Sequence, residues 1–338
     1  MQDRLSQILQ AIWEPEFRDC SFGFRPGRSA HDALRGVAEV ITNERTQWVV
    51  EADIKGFLDH VSHAHLLRFL EHRIADPNLL RIIQRFLKAG IMEDGVFTAG
   101  VEGTPQGGLV SPVLSNIYLH YVLDLWFEER FARRCAGKAY LIRYADDYVA
   151  CFEHEADARA FLEAMAARLA QFALEVEPRK TALLAFGSAM LGRRAEYEGP
   201  RTFSFLGFTH YVGRSRRGRF VVGRKTDGKR FRKKLTALNT RLCALRTEGG
   251  NAMVAFLVRH LRGHIQYYGV SGNSGWLSSY VYFATRLLFK WLNRRSQKPS
   301  LNWTQFDAYI GRWLPKTRIL HDLYPVPWWK TQTGSRIA

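Results

Sequence analysis

Cysteine is scarce in this chain of 338 residues: it has four, Cys20, Cys135, Cys151 and Cys243. No two stand in a Cys-x-x-Cys pair, which argues against a zinc ribbon or a dithiol redox motif. Such sparsity suits a reducing cytosol. No run of about 18 apolar residues occurs, so no membrane span is expected. Met1 to Trp13 lacks the apolar core of a signal peptide, and a cytoplasmic location is expected. Internal repeats and low-complexity blocks are missing too. Acid is lacking in one part only. Residues 211–338 hold 25 Lys/Arg against 4 Asp/Glu, a net of +21, while residues 1–210 hold 24 against 28, a net of −4. The overall +17 disfavours an ordinary metabolic enzyme and points to a polyanionic partner. With 46% hydrophobic and 24% charged residues the composition is globular. The length suits about two domains.

What is present reads as alternating elements. Residues 47–58 suggest a strand ending in a turn at Lys55–Gly56. Ser62 to Ile74 has helical spacing at Leu66, Leu67, Leu70 and Ile74. Asp76–Pro77 starts a further helix that Gly90 would close. A hairpin-like stretch (91–101) and a Gly-rich loop (103–108) follow. Ser111–Pro112 then opens a long helix. Residues 140–152 are two apolar runs around Ala-Asp-Asp, the pattern of a β-hairpin. Residues 156–173 are Ala-rich and helical. Residues 203–208 and 219–222 read as strands. Beyond a Gly/Arg-rich connection at 211–227, helices are expected at 228–247, 251–268, 276–295 and 303–313.

Carboxylates carry the first chemical signal. Asp53 sits late in an apolar strand, where a carboxylate is costly without a partner or a metal. Asp146 and Asp147 are adjacent acids between two apolar β-runs, although they repel each other and Asp is a poor strand former. Magnesium takes one or two protein carboxylates together with substrate phosphates. Two such ions can clamp the attacking and leaving oxygens of a phosphoryl transfer. An Asp-Asp pair by itself more often caps a turn. Here Thr104-Pro105-Gln106-Gly107-Gly108, Ser111-Pro112 and Asn116 lie between the two acid sites. Consecutive glycines let backbone approach a ligand closely. Glu177 to Thr181 and Phe205-Leu206-Gly207-Phe208 come next.

This order of motifs resembles the palm of a reverse transcriptase, and in particular the group II intron-encoded reverse transcriptase/maturases of bacteria. Residues 22–34 resemble the fingers segment of that family and Asp53–Phe57 its first catalytic motif. Gly103–Pro112 resembles its Pro-Gln-Gly motif, and Tyr144-Ala145-Asp146-Asp147 its catalytic box. Lys180 matches the following lysine motif and Phe205–Phe208 the primer grip. The likeness covers most of residues 3–290. It implies an α+β fold: a right-hand polymerase palm with partial fingers, then a basic α-helical thumb or maturase (X) domain. The implied boundaries are 1–48 for residual fingers, 49–211 for the palm, 212–312 for the thumb and 313–338 for a tail without an endonuclease domain.

The resemblance implies RNA-directed DNA synthesis by two-Mg²⁺ phosphoryl transfer from a dNTP to a primer 3′-OH, with Mn²⁺ able to substitute. Asp53 and Asp146 would bind the ions, Asp147 would support them, and the Ile54 carbonyl would complete one shell. Gln106 and Gly107 would lie beside the templating pair, Lys180 near the incoming phosphates, and Leu206–Gly207 against the primer. The implied partners are intron RNA, an RNA template with a DNA primer, and target DNA. Two features depart from the family. Phe57–Leu58 stands where two aromatics are usual, and the second of those excludes the ribose 2′-OH, so weaker exclusion of ribonucleotides is expected. The chain also starts where an N-terminal hairpin that closes over the triphosphate has already passed. A truncated member, impaired as a polymerase, is therefore expected, with Arg25 and Arg28 as the cations left at that end.

The basic part has a chemistry of its own. Between Arg214 and Arg246 stand thirteen Lys/Arg and one acid, Asp227. Arg230, Lys233 and Lys234 surround an apolar stripe of Phe231, Leu235, Leu238 and Leu242, as expected of a salt-sensitive RNA-binding helix. Trp276, Trp291, Trp303 and Trp313 fit core positions better than base-stacking ones. The rival to an enzyme is a maturase that binds and stabilises intron RNA without synthesis. A general basic chromatin-type protein is disfavoured by the acidic, motif-bearing first part.

Overall fold

The structure is a computed structural model that describes residues 2–88, 91–93, 96–98, 103, 108–191, 199–215, 217–294 and 301–325. In chain order the elements are α1 (Gln2–Trp13), α2 (Ala30–Asn43), β1 (Trp48–Ala52), α3 (His63–Glu71), α4 (Pro77–Lys88), β2 (Ile91–Glu93), β3 (Val96–Thr98) and α5 (Ser111–Leu119). Then come β4 (Ala139–Tyr144), β5 (Asp147–Phe152), α6 (Glu155–Ala170), β6 (Ala182–Ala185), β7 (Thr202–Phe205), β8 (Phe208–Arg214) and β9 (Phe220–Thr226). Four helices close the series: α7 (Gly228–Ala244), α8 (Gly250–Tyr268), α9 (Ser274–Leu292) and α10 (Trp303–Tyr309). Two compact units result. One comprises the chain up to Leu206 with Val212–Val222, the other Gly207–Tyr211 with Gly223–Tyr324.

The first unit is built on a four-stranded antiparallel sheet in the order β4-β5-β1-β6. β1 is central: Trp48 faces Phe152 on one side and Ala185 on the other. Side chains alternate between faces along each strand. Val50, Ala52, Leu141, Tyr148, Ala150 and Phe152 join a core with α1, α3, α5 and α6. The alternate residues Val49, Ile142, Val149 and Cys151 are also buried, as are Leu34, Val37 and Ile41 of α2, and α2 lies along β4 and β5. Burial on both faces explains why these strands read as continuous apolar runs. Local signals set the helix starts. Ser29 and Asp32 form a reciprocal capping box at α2. Asp76 Oδ1 accepts from the Asn78 N–H at α4.

The long helix beginning at Ser111 is not uniform. After Leu119 it passes through π-helical turns at His120–Asp124 and Phe127–Phe131, then a 3₁₀ turn at Ala132–Arg134. Such π-turns are rare and frequent at functional sites. Two expectations need correction. The strand expected over 47–58 ends at Ala52, while the turn expected at Lys55–Gly56 is present, with Gly56 at φ +51° and Phe57–Asp59 following as a 3₁₀ turn. The strand expected over 203–208 is two strands, broken by a tight turn at Leu206–Gly207 with φ of +50° and +80°. Gly90, expected to close α4, lies outside the described residues. β2 and β3 pair antiparallel, Ile91 opposite Thr98.

The second unit is mainly α7, α8, α9 and α10. Its core joins Phe231, Leu238 and Leu242 of α7 to Met253, Leu257 and Leu261 of α8, Tyr280, Ala284 and Leu288 of α9, and Phe306 of α10. Asp227 caps α7 by accepting from the Arg230 N–H, and Asn302 with Gln305 forms a capping box at α10. No described helix is long and apolar enough to cross a membrane.

Candidate active site

Three aspartates meet where the central strands run out. β1 and β5 pair as far as Ala52 opposite Tyr148, so Asp53 and Asp147 are the next residues on the two strands. β4 and β5 close with Tyr144 opposite Asp147, leaving Ala145 and Asp146 as the two-residue turn. Ala145 takes φ +57°. That left-handed conformation costs an L-residue roughly 1–2 kcal/mol, and strain of this kind clusters at functional sites.

Asp53 is held from the opposite edge. Its carbonyl accepts from the Glu177 N–H at 2.8 Å, and the Lys55 N–H donates to the Glu175 carbonyl at 2.9 Å. Ile54 thus faces Val176 in a bridge whose hydrogen bonds are made by the flanking residues. In such a pair the central residue's own N–H and C=O point to the other edge, and β5 lies on that edge of β1.

Charge is concentrated here. Burial raises the Asp146 carboxyl above its ordinary range, and the Asp53 charge adds to that rise. Lys180, in a 3₁₀ turn at Pro178–Lys180, sets its ammonium on Asp53 Oδ2. That hydrogen bond, with the Asp53 charge, holds the lysine above its ordinary value. Asp53 is mostly covered and Lys180 mostly exposed, 16% against 66%. Among the described residues no three His, Cys, Asp or Glu side chains converge into a ready metal cage. A pair of carboxylates with a main-chain carbonyl still fits magnesium, which completes its shell with water and substrate phosphates.

The other predicted residues fall into separate places. Phe57 is core: it is 3% exposed and lies 6.2 Å from Tyr118, ring to ring. Its ring packs in the core, whereas Leu58 is half-buried. Gln106 and Gly107 lie outside the described residues. Gly103, at the head of their loop, is anchored: its N–H donates to the Val61 carbonyl, and His63 Nε2 bonds its carbonyl at 2.6 Å. Its φ is +85°, and a Cβ there would stand 2.8 Å from the Leu58 carbonyl, so glycine is required. Leu206 and Gly207 form the left-handed pair of a two-residue hairpin turn. Within the second unit, a Cβ on Gly207 would meet the Tyr268 hydroxyl at 3.0 Å and Arg230 Nη1 at 3.4 Å.

The expected RNA-binding cations divide. Arg230 and Lys233 are exposed on α7. Lys234 is half-buried with its ammonium over the Tyr268 ring at 4.6 Å, and burial lowers it from its ordinary value. Arg28 bonds the Asp19 carboxylate at 2.6 Å and the Asp19 carbonyl at 2.8 Å. Arg25 is a correction. Its side chain is 4% exposed, paired with Glu14 at 2.8 Å, and it donates to the carbonyls of Arg18 and Ser21. Its donors serve the fold and none is offered to RNA.

Sequence reasoning missed the support beneath the aspartate turn. Arg143, two residues before Ala145, is fully buried and forks onto Asp124, Nε to Oδ1 at 2.7 Å and Nη2 to Oδ2 at 2.5 Å. Burial opposes the Arg143 charge, but Asp124 outweighs it and holds the guanidinium protonated. The remaining donors reach the Asn116 side chain, the Ser21 hydroxyl and, at 2.9 Å, the Ala145 carbonyl. Asn116 donates to the Gly23 carbonyl at 2.7 Å. A Cβ on Gly23 would stand 2.4 Å from the Ala145 nitrogen. One buried network thus fastens the strained turn to α5 and to the segment before α2. The visible signal was an arginine inside the apolar run of residues 140–144, and the π-turn that brings Asp124 inward gave none.

A right-hand polymerase palm is the class of protein that this sheet and its carboxylate turn define. The family model described as reverse transcriptase (RNA-dependent DNA polymerase) matches residues 1–210, and the chain belongs to that family. It is 43% identical over 129 residues to the group II intron-encoded protein LtrA of Lactococcus lactis subsp. cremoris, a match covering 37% of this chain and 21% of LtrA. Over 147 residues it is 38% identical to protein YkfC of Escherichia coli (strain K12), covering 41% of this chain and 38% of that protein. Over 129 residues it is 42% identical to an uncharacterized 91 kDa protein in the cob intron of Schizosaccharomyces pombe, covering 38% and 16%. The matches thus span at most 38% of the length of these relatives.

Proposed function

We propose that the chain is an RNA-directed DNA polymerase of the group II intron type that also binds intron RNA. The observation carrying this reading is the arrival of Asp53 and the Asp146–Asp147 turn at the ends of adjacent strands, with the Ile54 carbonyl turned to the same edge. The similarity to an intron-encoded protein over the palm supports the intron assignment. Asp53, Asp146 and the Ile54 carbonyl would hold two magnesium ions, and Asp147 would add negative charge beside them. Magnesium held by these residues would supply activation of a primer 3′-OH and charge neutralisation on the transferring phosphate. Lys180, already on Asp53, would stand near the incoming nucleotide's phosphates. Gly207, with Arg230 close by in the second unit, would receive the primer backbone. The half-buried aliphatic Leu58 supports weak discrimination against ribonucleotides.

Primer extension on an RNA template, with a DNA primer, Mg²⁺ and dNTPs, tests the reading. Extension by the wild type and none by Asp146→Ala is the expected result. No extension by either protein, with salt-sensitive RNA binding by both, would replace the enzyme with an RNA-binding maturase.

A further inference from the structure

A second cationic site lies in the first unit, on elements that carry none of the three aspartates. A cleft of about 580 Å³ is lined by Arg130, Arg134, Arg168, Trp126 and Gln171. Two walls form it. One is the continuation of α5 through its second π-turn and 3₁₀ turn, which carries Arg130 and Arg134. The other is the end of α6, which carries Arg168.

Arg168 is fixed in place by the irregular helix. Its Nε donates to the Val122 carbonyl at 3.0 Å and its Nη2 to the Tyr121 carbonyl at 3.1 Å. Its guanidinium also lies 4.5 Å over the Phe172 ring. Burial and the charge of Arg130 both push it below its ordinary value. None of the residues lining the cleft is acidic. The nearby carboxylate Glu129 is taken by Arg18 and Arg133.

Three like charges around one cleft repel each other, and although carbonyls hold Arg168, folding alone gives no reason to set Arg130 and Arg134 beside it. The surrounding chain sharpens this, since residues 1–210 are net acidic. Guanidinium forks match phosphate oxygens bidentately. Gln171 adds an amide and Trp126 an aromatic wall, as contacts to ribose and base require.

We infer that this cleft is a docking site for the phosphodiester backbone of folded RNA, built from residues other than the three aspartates and the cations of α7. The inference rests on the reading of the chain as an intron-type, RNA-binding reverse transcriptase. An RNA strand fits better than a lone anion because Arg130 and Arg134 stand four residues apart and both are exposed, so they reach successive phosphates.

The test uses the full chain, with Arg130→Glu/Arg134→Glu beside Arg130→Lys/Arg134→Lys. Arg168 is left alone because it bonds two carbonyls. The probe is a labelled RNA of two stacked stem–loops, titrated from 50 to 300 mM KCl. A photo-crosslinker replaces Ala167, an exposed residue of the cleft rim. The expected result is a crosslink to RNA, lost in the glutamate variant and kept in the lysine variant. Affinity should drop about tenfold, and the slope of log K against log salt should flatten by roughly 1.4–1.8, two phosphate contacts' worth. Extension of a short primer–template by the glutamate variant should match the wild type. Unchanged affinity and no RNA crosslink would overturn the inference. So would a crosslink to a second copy of the chain, or protection by inorganic phosphate with none by RNA. Loss of extension by the wild type, with the RNA crosslink intact, would sink the polymerase reading and leave this one standing.

Discussion

The two units of this chain give their buried charge different partners, a carboxylate in the first and a main-chain carbonyl in the second. The first buries a complete ion pair, Arg143 with Asp124, and surrounds it with Asn116, Ser21 and the Ala145 carbonyl. The second keeps Arg230 and Lys233 in solvent, buries Arg224 with its Nη2 donating to the Leu323 carbonyl at 2.8 Å, and packs rings in its core: His264 stacks on Tyr280 at 3.6 Å, and His260 Nε2 bonds the Tyr280 hydroxyl at 2.7 Å. The difference follows from what each must do. A turn carrying adjacent carboxylates needs directional anchors. A helical surface for a polyanion needs exposed, hydrated cations such as Arg230 and Lys233.

Carboxylate substitution gives the largest expected separation of the units. Asp53→Asn and Asp146→Asn should each reduce primer extension by about a thousandfold, because a neutral amide replaces an anionic carboxylate that a divalent ion needs. Filter-binding of RNA should stay within about twofold. Equal loss of both properties would collapse the distinction between a chemical unit and a gripping one.

Next comes the buried pair. Arg143→Met leaves Asp124 charged and unpartnered, and should lower stability by about 3–5 kcal/mol. Arg143→Met/Asp124→Leu should recover most of that loss in urea unfolding. Extension should remain impaired in the double variant, since nothing then bonds the Ala145 carbonyl. A double variant with wild-type turnover would show that the turn stands without its anchor.

Acid should reach both units through histidine. Burial pulls His120 of the first unit down to about 4 and His264 of the second to about 3. Each folded value lies below the unfolded one, so the unfolded chain binds more protons. Stability is therefore full above about pH 6.5 and falls as pH drops toward the folded values, on the order of 3 kcal/mol per histidine. His264→Phe should flatten the second unit's share of that limb, read by Trp fluorescence at pH 5 against pH 7.5. An unchanged limb would place the acid sensitivity elsewhere.

The smallest effect belongs to the exposed cations. Arg230→Gln/Lys233→Gln should weaken RNA binding a few-fold at 100 mM salt and reduce the salt slope by roughly 1.4–1.8. Its unfolding midpoint should match the wild type, because exposed charges contribute little to folding. A large shift in the midpoint would mean that α7 uses those side chains internally.

Much of this was legible in residue order. The apolar runs around Ala145-Asp146-Asp147 announced a hairpin. Asp76–Pro77 and Ser111–Pro112 marked helix starts, and the abrupt loss of acid near residue 211 announced a basic helical part. These signals are local, since periodicity and caps act within a few residues. Arg25 shows the limit. It reads as a free cation, yet the fold surrounds it with Glu14 and main-chain carbonyls. Phe57 likewise sits in a motif and belongs to the core.

The sequence by itself determined the kinds of element, the three aspartates and the division of charge, because each is a property of neighbours along the chain. Only the tertiary structure decided that Arg143 meets Asp124, 19 residues away, and Ser21, 122 residues away. It also decided that Arg130 and Arg168 face one cleft. Partners that distant are joined by a π-turn, a strand register and a buried fork, and no spacing rule along the chain encodes them.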